Sequence, residues 1–449
     1  MQPARIRRTL FVATLAVAGA STSFVGGVSG VSGVAHAQVS QIDAHKAEAK
    51  AQPADARASL ALGRAYRRAG KTKEALEELR RGLNQTRVQD QGIDLHWELA
   101  RTLLARGDFG PAMVQCKVIA ALPGGARSGH ACAAEAHLSW RRASEALVET
   151  ELALQGEQDK HGTAKGTYEA KVAEAAAREL ESKLKDAEAL YREAILWKPD
   201  RAEAYLGLGH MLGHEGDRDG AVRALKDAVR LDPDGPEAAY QLGAALGTTP
   251  EAVEHLLRAA KERVAYAAPE ARLAEVELTR GNLAHARRAA EAAIRSDPND
   301  AGPHITFGRI ALAENQPDLA IRAGESALKI VVNSAPAKLL IGDAQAKKGE
   351  IDLALEAYQA AHGLDNADPT PLVRAAEECK RAGRFTSARA FGMKATQDFP
   401  TWGPAWVVFG DALLADGQPQ DAKKAYESAR KAKGPVDAAA LEKKIAAIK

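Results

Sequence analysis

A pattern of small and large apolar residues recurs along this chain about every 34 residues, and this recurrence restricts the possible folds more than any other feature. In one clear copy, Tyr205, Leu208 and Leu212 lie three and four residues apart. That spacing is typical of one face of an α-helix. Gly216 then interrupts the pattern and Ala221 resumes it, which predicts a tight turn followed by a second helix.

An alanine marks the second helix of every copy of this pattern. It stands at eleven positions: Ala75, Ala112, Ala146, Ala187, Ala221, Ala252, Ala286, Ala320, Ala354, Ala388 and Ala422. A small residue lets two helices approach closely, and burying one of the large residues beside it is worth roughly 1.5–3 kcal/mol. A lone helix pair buries only one side of each helix, so neighbouring pairs must supply the rest. The sequence therefore predicts an all-α stack of eleven antiparallel helix pairs.

The residues of the clear copy also resemble a known repeat family, the tetratricopeptide repeat. The residues that carry the resemblance are Tyr205, Leu208, Gly209, Leu212, Ala221, Leu225 and Pro233. The resemblance implies a right-handed α-solenoid, a superhelix whose first helices line a concave groove that holds a segment of another protein. It implies a scaffold rather than an enzyme, and no cofactor.

The remaining boundaries follow from where the repeat pattern starts, stops and is interrupted. Polar residues with three glycines interrupt it once, and a final amphipathic segment has apolar residues on one side and lysines on the other, as a cap for the last repeat needs. We predict a signal peptide at 1–37, a lead-in helix at 38–55, repeats 1–3 at 56–154, an inserted loop at 155–167, repeats 4–11 at 168–435 and a capping helix at 436–449.

The first residues have the features of a secretory signal peptide. Three arginines precede a short apolar run from Leu10 to Ala20, and small residues follow as far as Ala35-His36-Ala37. Cleavage is expected after Ala37, with Ala20 as an earlier alternative. The apolar run is shorter than the roughly 20 residues that span a bilayer, and no cysteine follows it to accept a lipid. We therefore expect a periplasmic or secreted protein with no membrane span after cleavage.

Charge and composition exclude two classes of protein. Lys and Arg number 61 against 59 Asp and Glu, and removal of the predicted signal peptide takes away three arginines and no acid. A near-neutral chain is not expected to bind nucleic acid, which normally requires a basic surface. With 27% charged and 46% hydrophobic residues, the mature part is a folded helical protein rather than a disordered one.

The predicted groove is lined by the first-helix face opposite the packed stripe. Its residues are Arg57, Arg64, Arg67, Arg68, Trp97, Arg101, Leu206, His210, Tyr240, Glu275, Arg309 and Asp343. Arginines cluster beside a tryptophan at the start, which would suit an acidic partner through bidentate and cation–π contacts, although solvated surface is the alternative. Aliphatic and acidic residues mix further on, which suits an amphipathic segment.

The expected partner is a cell-envelope or secreted protein, within an assembly, export or motility complex. The alternative function is an accessory subunit that binds glycan or regulates a cell-wall or polysaccharide enzyme. A glycan site needs exposed aromatic platforms, and the groove offers only Trp97 and Tyr240. No nucleophile-elbow, zinc-protease or phosphate-loop motif occurs in the sequence. We therefore expect no catalytic residues.

Two further groups of residues have chemical potential. His210 and His214 lie four residues apart on one helix face, but a zinc site takes three or four ligands, and no third His or Cys falls near them in the repeat geometry. We therefore expect no metal site. Cys116 and Cys132 lie on adjacent predicted helices, so they either form a disulfide in an oxidising compartment or are two buried thiols. Cys379 is expected to be an inert core residue.

Overall fold

The helices of this protein follow one another in pairs along the whole described chain. A computed structural model describes residues 32–86, 89–154, 167–262 and 267–448. Within these residues there are 24 helices and no strand, so the predicted all-α solenoid of helix pairs is confirmed. Packing divides the chain into two units, Met1–Pro269 and Glu270–Lys449.

Within the described residues the helices form eleven pairs, one for each repeat, with one additional helix before the first pair and one after the last. The helices of unit 1 are α1 (Ser32–Ala51), α2 (Ala56–Arg68), α3 (Thr72–Gln85), α4 (Gln89–Arg106), α5 (Phe109–Ala121), α6 (Ala126–Ser139), α7 (Ala143–Leu154), α8 (Thr167–Leu180), α9 (Leu184–Trp197), α10 (Ala202–Glu215), α11 (Arg218–Leu231), α12 (Pro236–Leu246) and α13 (Pro250–Glu262). Unit 2 continues with α14 (Ala267–Thr279), whose first residues precede the division, α15 (Leu283–Ser296), α16 (Ala301–Ala313), α17 (Pro317–Ile330), α18 (Ala335–Lys348), α19 (Ile351–Leu364), α20 (Thr370–Arg381), α21 (Phe385–Asp398), α22 (Gly403–Ala415), α23 (Pro419–Lys431) and α24 (Ala438–Ala446).

The turn inside each pair reverses the chain through one residue with positive φ. Gly216 has φ 85° and Gly349 has φ 80°, a conformation that glycine adopts without steric cost. The third repeat has no glycine there, and Arg141 takes the same conformation with φ 57°. The helix pair therefore forms in this repeat too, at the cost of a strained residue that is not glycine.

The repeated alanines lie where the two helices of a pair meet. All eleven are at most 1% exposed, which confirms their predicted role as contact residues. Gly209 serves the same close approach, since a Cβ atom added there would lie 2.5 Å from Cγ of Leu225. The alternation of small and large side chains therefore sets the distance between the helices of each pair.

Ala354 offers a direct test of this packing. Its side chain is fully buried beside Tyr358 in unit 2, so we expect Ala354→Leu to overpack the pair and cost about 1–3 kcal/mol in the free energy of unfolding. Ala360 is exposed on the same helix, and Ala360→Leu should be nearly neutral. Urea denaturation of both variants measures the difference, and equal stabilities would contradict the assigned packing.

The first and last helices cover the ends of the array. Ile42 and Ala49 of α1 are buried in a cluster with Leu62 of α2, and Leu441 of α24 is buried in a cluster with Tyr426 of α23. Helix α1 begins before the predicted cleavage point, and Ile42 and Ala49 follow that point. Most of the predicted signal peptide, and the predicted inserted loop except for its last residue, lie outside the described residues.

Cys116 and Cys132 form a disulfide between α5 and α6, with their Cα atoms 5.3 Å apart. The sequence left this pairing open, and the structure decides it because helix packing brings the two buried cysteines together. Cys379 is a buried thiol, as expected. None of the helices in the described residues is apolar over a length that would cross a bilayer.

Candidate partner-binding groove

Charged side chains of the predicted groove bridge neighbouring first helices. Arg64 and Arg67 of α2 both donate to the carboxylate of Glu98 on α4, with Arg64 Nε 3.2 Å from Oε2. Arg101 of α4 repeats this pairing one repeat later, with Nε 2.8 Å from Oε1 of Glu135 on α6. Partners 31 to 34 residues apart therefore form ion pairs between consecutive repeats.

Glu98 is the most deeply buried acid of this group, with 1% of its surface exposed. Burial on its own would raise the pKa of Glu98, but the guanidinium groups of Arg67, Arg101 and Arg64 outweigh it and lower the pKa from 4.5 to about 2. A buried carboxylate is tolerated when it is paired and hydrogen-bonded. The arginine cluster predicted to meet an acidic partner thus already meets an acidic side chain of the chain itself.

The shifted pKa predicts a pH dependence of stability. A carboxyl group with a lowered folded-state pKa stabilises the fold above its unfolded pKa, and this contribution is lost as the pH falls toward the folded pKa. For Glu98 the window runs from about pH 4.5 down to about 2, and the contribution is about 3 kcal/mol. The stability difference between the wild type and Glu98→Gln should therefore shrink over that window, as denaturant titration at each pH would show. Glu74→Gln is the control at an exposed acid, and a constant difference for Glu98→Gln would contradict the assigned pairing.

Trp97 lies beneath this charged layer rather than above it. Only 7% of its surface is exposed, its indole N–H donates to Glu135 Oε2 at 2.9 Å, and the Arg101 guanidinium lies 5.7 Å from its ring centre. Its polar atom is satisfied and its faces are covered. Trp97 therefore supports the wall of the groove and offers no platform for stacking on a sugar.

The helices of unit 1 curve far enough to bring distant repeats into contact. Arg68 of the first repeat lies 3.2 Å from the carboxylate of Asp232, 164 residues later. Arg101 and Glu203 also interact electrostatically. Charged side chains of distant repeats therefore meet within unit 1, whereas Arg57 of α2 is exposed.

The middle of the predicted groove contains a cluster formed by Glu179, His210 and His214. Nδ1 of His210 on α10 lies 2.8 Å from Oε1 of Glu179 on α8, and Nε2 of His210 lies 3.2 Å from Nε2 of His214. Burial first, and then the neighbouring His210, lower the pKa of His214. Leu206 is partly buried against the core, and Tyr240 is half-buried. A third potential ligand thus stands beside the two histidines, although it is neither His nor Cys.

In unit 2, charged side chains also form ion pairs between neighbouring first helices. Asp343 of α18 accepts a hydrogen bond from the Tyr358 hydroxyl at 2.8 Å and faces Arg374 of α20 at 3.8 Å. Asp411 of α22 is contacted by Lys380 and Lys444. Burial opposes the ionisation of Asp411, but hydrogen bonds from Lys444, Tyr426 and Lys380 outweigh it and lower its pKa.

An open cleft lies on this inner wall of unit 2, with a volume of about 770 Å³. Its lining carries charges of both signs: Asp343, Lys347, Lys348, Arg374, Glu378 and Arg381. Leu312 is an apolar member of the same lining. The first helices of unit 2 carry further half-buried aliphatic side chains on the predicted groove face: Leu278, Leu339, Val373 and Val407. Arg309 is exposed at a groove position, and so is Glu275, which pairs with Arg272. This wall combines apolar and charged contacts that a polypeptide could use.

The sequence predicts the groove positions, but the acidic residues that pair with the side chains at those positions were missed. Glu98 follows its partner Arg67 by 31 residues, and Glu135 follows Arg101 by 34 residues. Glu179 precedes His210 by 31 residues. Oppositely charged residues that lie about one repeat length apart on first helices are visible in the sequence and indicate possible ion pairs between repeats. Which of the residues with this spacing meet depends on how consecutive repeats pack on each other.

Comparison with known proteins places these features in a family. The Tetratricopeptide repeat family matches residues 43–90, 177–236, 305–369 and 407–447. The yeast Tom70 crystal structure is similar over 88% of this chain and 94% of its own, with 16% identity and a TM-score of 0.46. The APC/C hetero-tetramer Cut9-Hcn1 is similar over 80% and 76%, with 16% identity and a TM-score of 0.48. The MamA protein is similar over 37% and 92%, with 25% identity and a TM-score of 0.33. No curated protein sequence matches.

Proposed function

This chain is a tetratricopeptide repeat protein, and we propose that it is an exported, non-enzymatic scaffold that holds a segment of another protein on the inner wall of unit 2. The fold of this family is one that mediates protein–protein interaction. We take the partner to be a cell-envelope or secreted protein, within an assembly, export or motility complex.

The cleft on the inner wall of unit 2 is the observation that carries this proposal. Its charges of both signs share the lining with the half-buried Leu312. Leu339 packs against the buried cluster of Ala346 and Tyr358, which also line the cleft, and Val373 precedes the lining residue Arg374 on α20. Such a surface suits an amphipathic segment that places apolar anchors against the wall and charged side chains beside them. In unit 1 the corresponding arginines are engaged with Glu98 and Asp232, so we assign the capture of the segment to unit 2.

Site-specific crosslinking tests the assigned wall. A photoreactive amino acid at Val373 on α20 should give adducts with one polypeptide in native cells, identified by mass spectrometry. The same amino acid at Leu353, which is 47% exposed on the second helix α19, is the matched control and should not capture that polypeptide. Equal capture at both positions, or adducts with sugar alone at Val373, would contradict the proposal.

Two observations support export. The first 37 residues have the pattern of a secretory signal peptide, and the Cys116–Cys132 disulfide suits an oxidising compartment. The intact mass of the protein from its native host checks this directly. A mature chain that begins at Gln38 or Ser21 is expected, and a cytoplasmic chain that retains Met1 through Ala37 would contradict export.

A further inference from the structure

Three side chains with metal-binding atoms converge on the inner wall of unit 1. Glu179 comes from α8, and His210 and His214 come from successive turns of α10. One ligand atom from each lies within 4.8 Å of the other two. Glu179 is only 8% exposed, whereas His214 is exposed. The cluster is therefore anchored in the protein on one side and open on the other.

The hydrogen bonds of the cluster define which ring nitrogens remain to bind a ligand. An ionised carboxylate can only accept, so His210 donates Nδ1–H to Glu179, and a neutral His210 ring then carries its lone pair on Nε2. That lone pair faces Nε2 of His214 at 3.2 Å. Two ring nitrogens this close need either a proton or a cation between them.

The distance between the two nitrogens matches metal coordination. Zinc binds imidazole nitrogen at about 2.0–2.1 Å, so two ligands of a tetrahedral ion are about 3.3 Å apart. A carboxylate that accepts from the other ring nitrogen of a histidine ligand fixes its tautomer and orientation in many metal sites. Glu179 has this position relative to His210.

We propose that His210 and His214 bind a divalent transition-metal ion, of which Zn²⁺ is the representative, through their Nε2 atoms. Imidazole nitrogen suits zinc, nickel and copper ions. Glu179 is the positioning residue that holds His210. The remaining coordination positions face the open side of the cluster and are filled by water or by a side chain of a bound protein. This site is independent of the capture of a segment by unit 2.

Metal titration of the full, untagged chain tests the proposal, after chelation and dialysis to remove bound ions. Isothermal titration with Zn²⁺ should show one equivalent of binding, and Co²⁺ should develop a d–d absorption band. His214→Gln and His210→Gln should weaken binding at least tenfold. Glu179→Gln should weaken it about ten- to a hundredfold, as loss of a supporting carboxylate does.

His285→Gln provides the matched control, because His285 is exposed on another repeat and its loss should leave the titration unchanged. Circular dichroism checks that each variant is folded, and His214 is exposed, so its replacement should not disturb the core. Absence of binding by the wild type, or full binding by His214→Gln, would overturn the proposal.

Discussion

Replacing Arg67 by alanine is expected to lower the free energy of unfolding of the first two repeats by about 1.5–3 kcal/mol, the cost of losing one hydrogen bond to a buried charged group that keeps a second partner. Glu98 is 1% exposed and accepts from Arg67 and Arg64. The remaining arginines cannot restore the lost hydrogen bond. Amide hydrogen exchange along α2 and α4 measures the effect locally, which suits an array in which each repeat contacts mainly its neighbours.

Two further variants test whether the loss of stability comes from the Arg67–Glu98 ion pair. Arg57 is exposed on the same helix, and Arg57→Ala should change stability by no more than about 0.5 kcal/mol. Adding Glu98→Gln to Arg67→Ala removes the buried charge and should recover part of the loss. If Arg67→Ala is no more harmful than Arg57→Ala, the arginine is not structural and the cluster becomes available for an acidic partner.

Loss of the Cys116–Cys132 disulfide is expected to have an effect of comparable or larger size. The bond closes a loop of 16 residues between α5 and α6, for which the restriction of the unfolded chain is worth about 3 kcal/mol. The double variant Cys116→Ala/Cys132→Ala should therefore lose protection from hydrogen exchange in repeats 2 and 3. Distant repeats should be unaffected, because stability in such arrays is coupled mainly between neighbours.

Reduction of the wild-type protein provides an independent version of this experiment. A phosphine reductant should destabilise the same two repeats by a similar amount, and it should have no effect on the double variant, whose remaining cysteine, Cys379, is unpaired. If the reduced wild type is as stable as the oxidised protein, the disulfide does not support the fold. The support that it lends to export would then weaken as well.

The helix pairs were predictable because their determinants are local. Ala221 and Leu225 lie one turn apart on one helix, and Gly216 supplies the turn before them. The same local pattern recurs in every repeat, so eleven alanines predicted from spacing are all buried. Even Arg141, which replaces the turn glycine, adopts the required positive φ, because the packing of the pair outweighs the local strain.

The groove was only partly predictable. Its positions follow from helix periodicity, but whether a charged side chain there is available depends on what it meets. Arg64 and Arg67 have the spacing of a partner-binding cluster, yet they pair with Glu98 from the next repeat. The role of the predicted groove residues in binding a partner stays a prediction, which the crosslinking experiment addresses for unit 2.

The sequence by itself determined the repeat, its period and the buried face of each helix, because these depend on residues within a few turns of one another. Only the tertiary structure decided which side chains meet across repeats. It brought Glu179 to His210 and His214, Cys116 to Cys132, and Arg68 to Asp232 from 164 residues away. Such contacts depend on the angle at which each pair packs on the next, and that angle is set by many side chains together rather than by any local pattern.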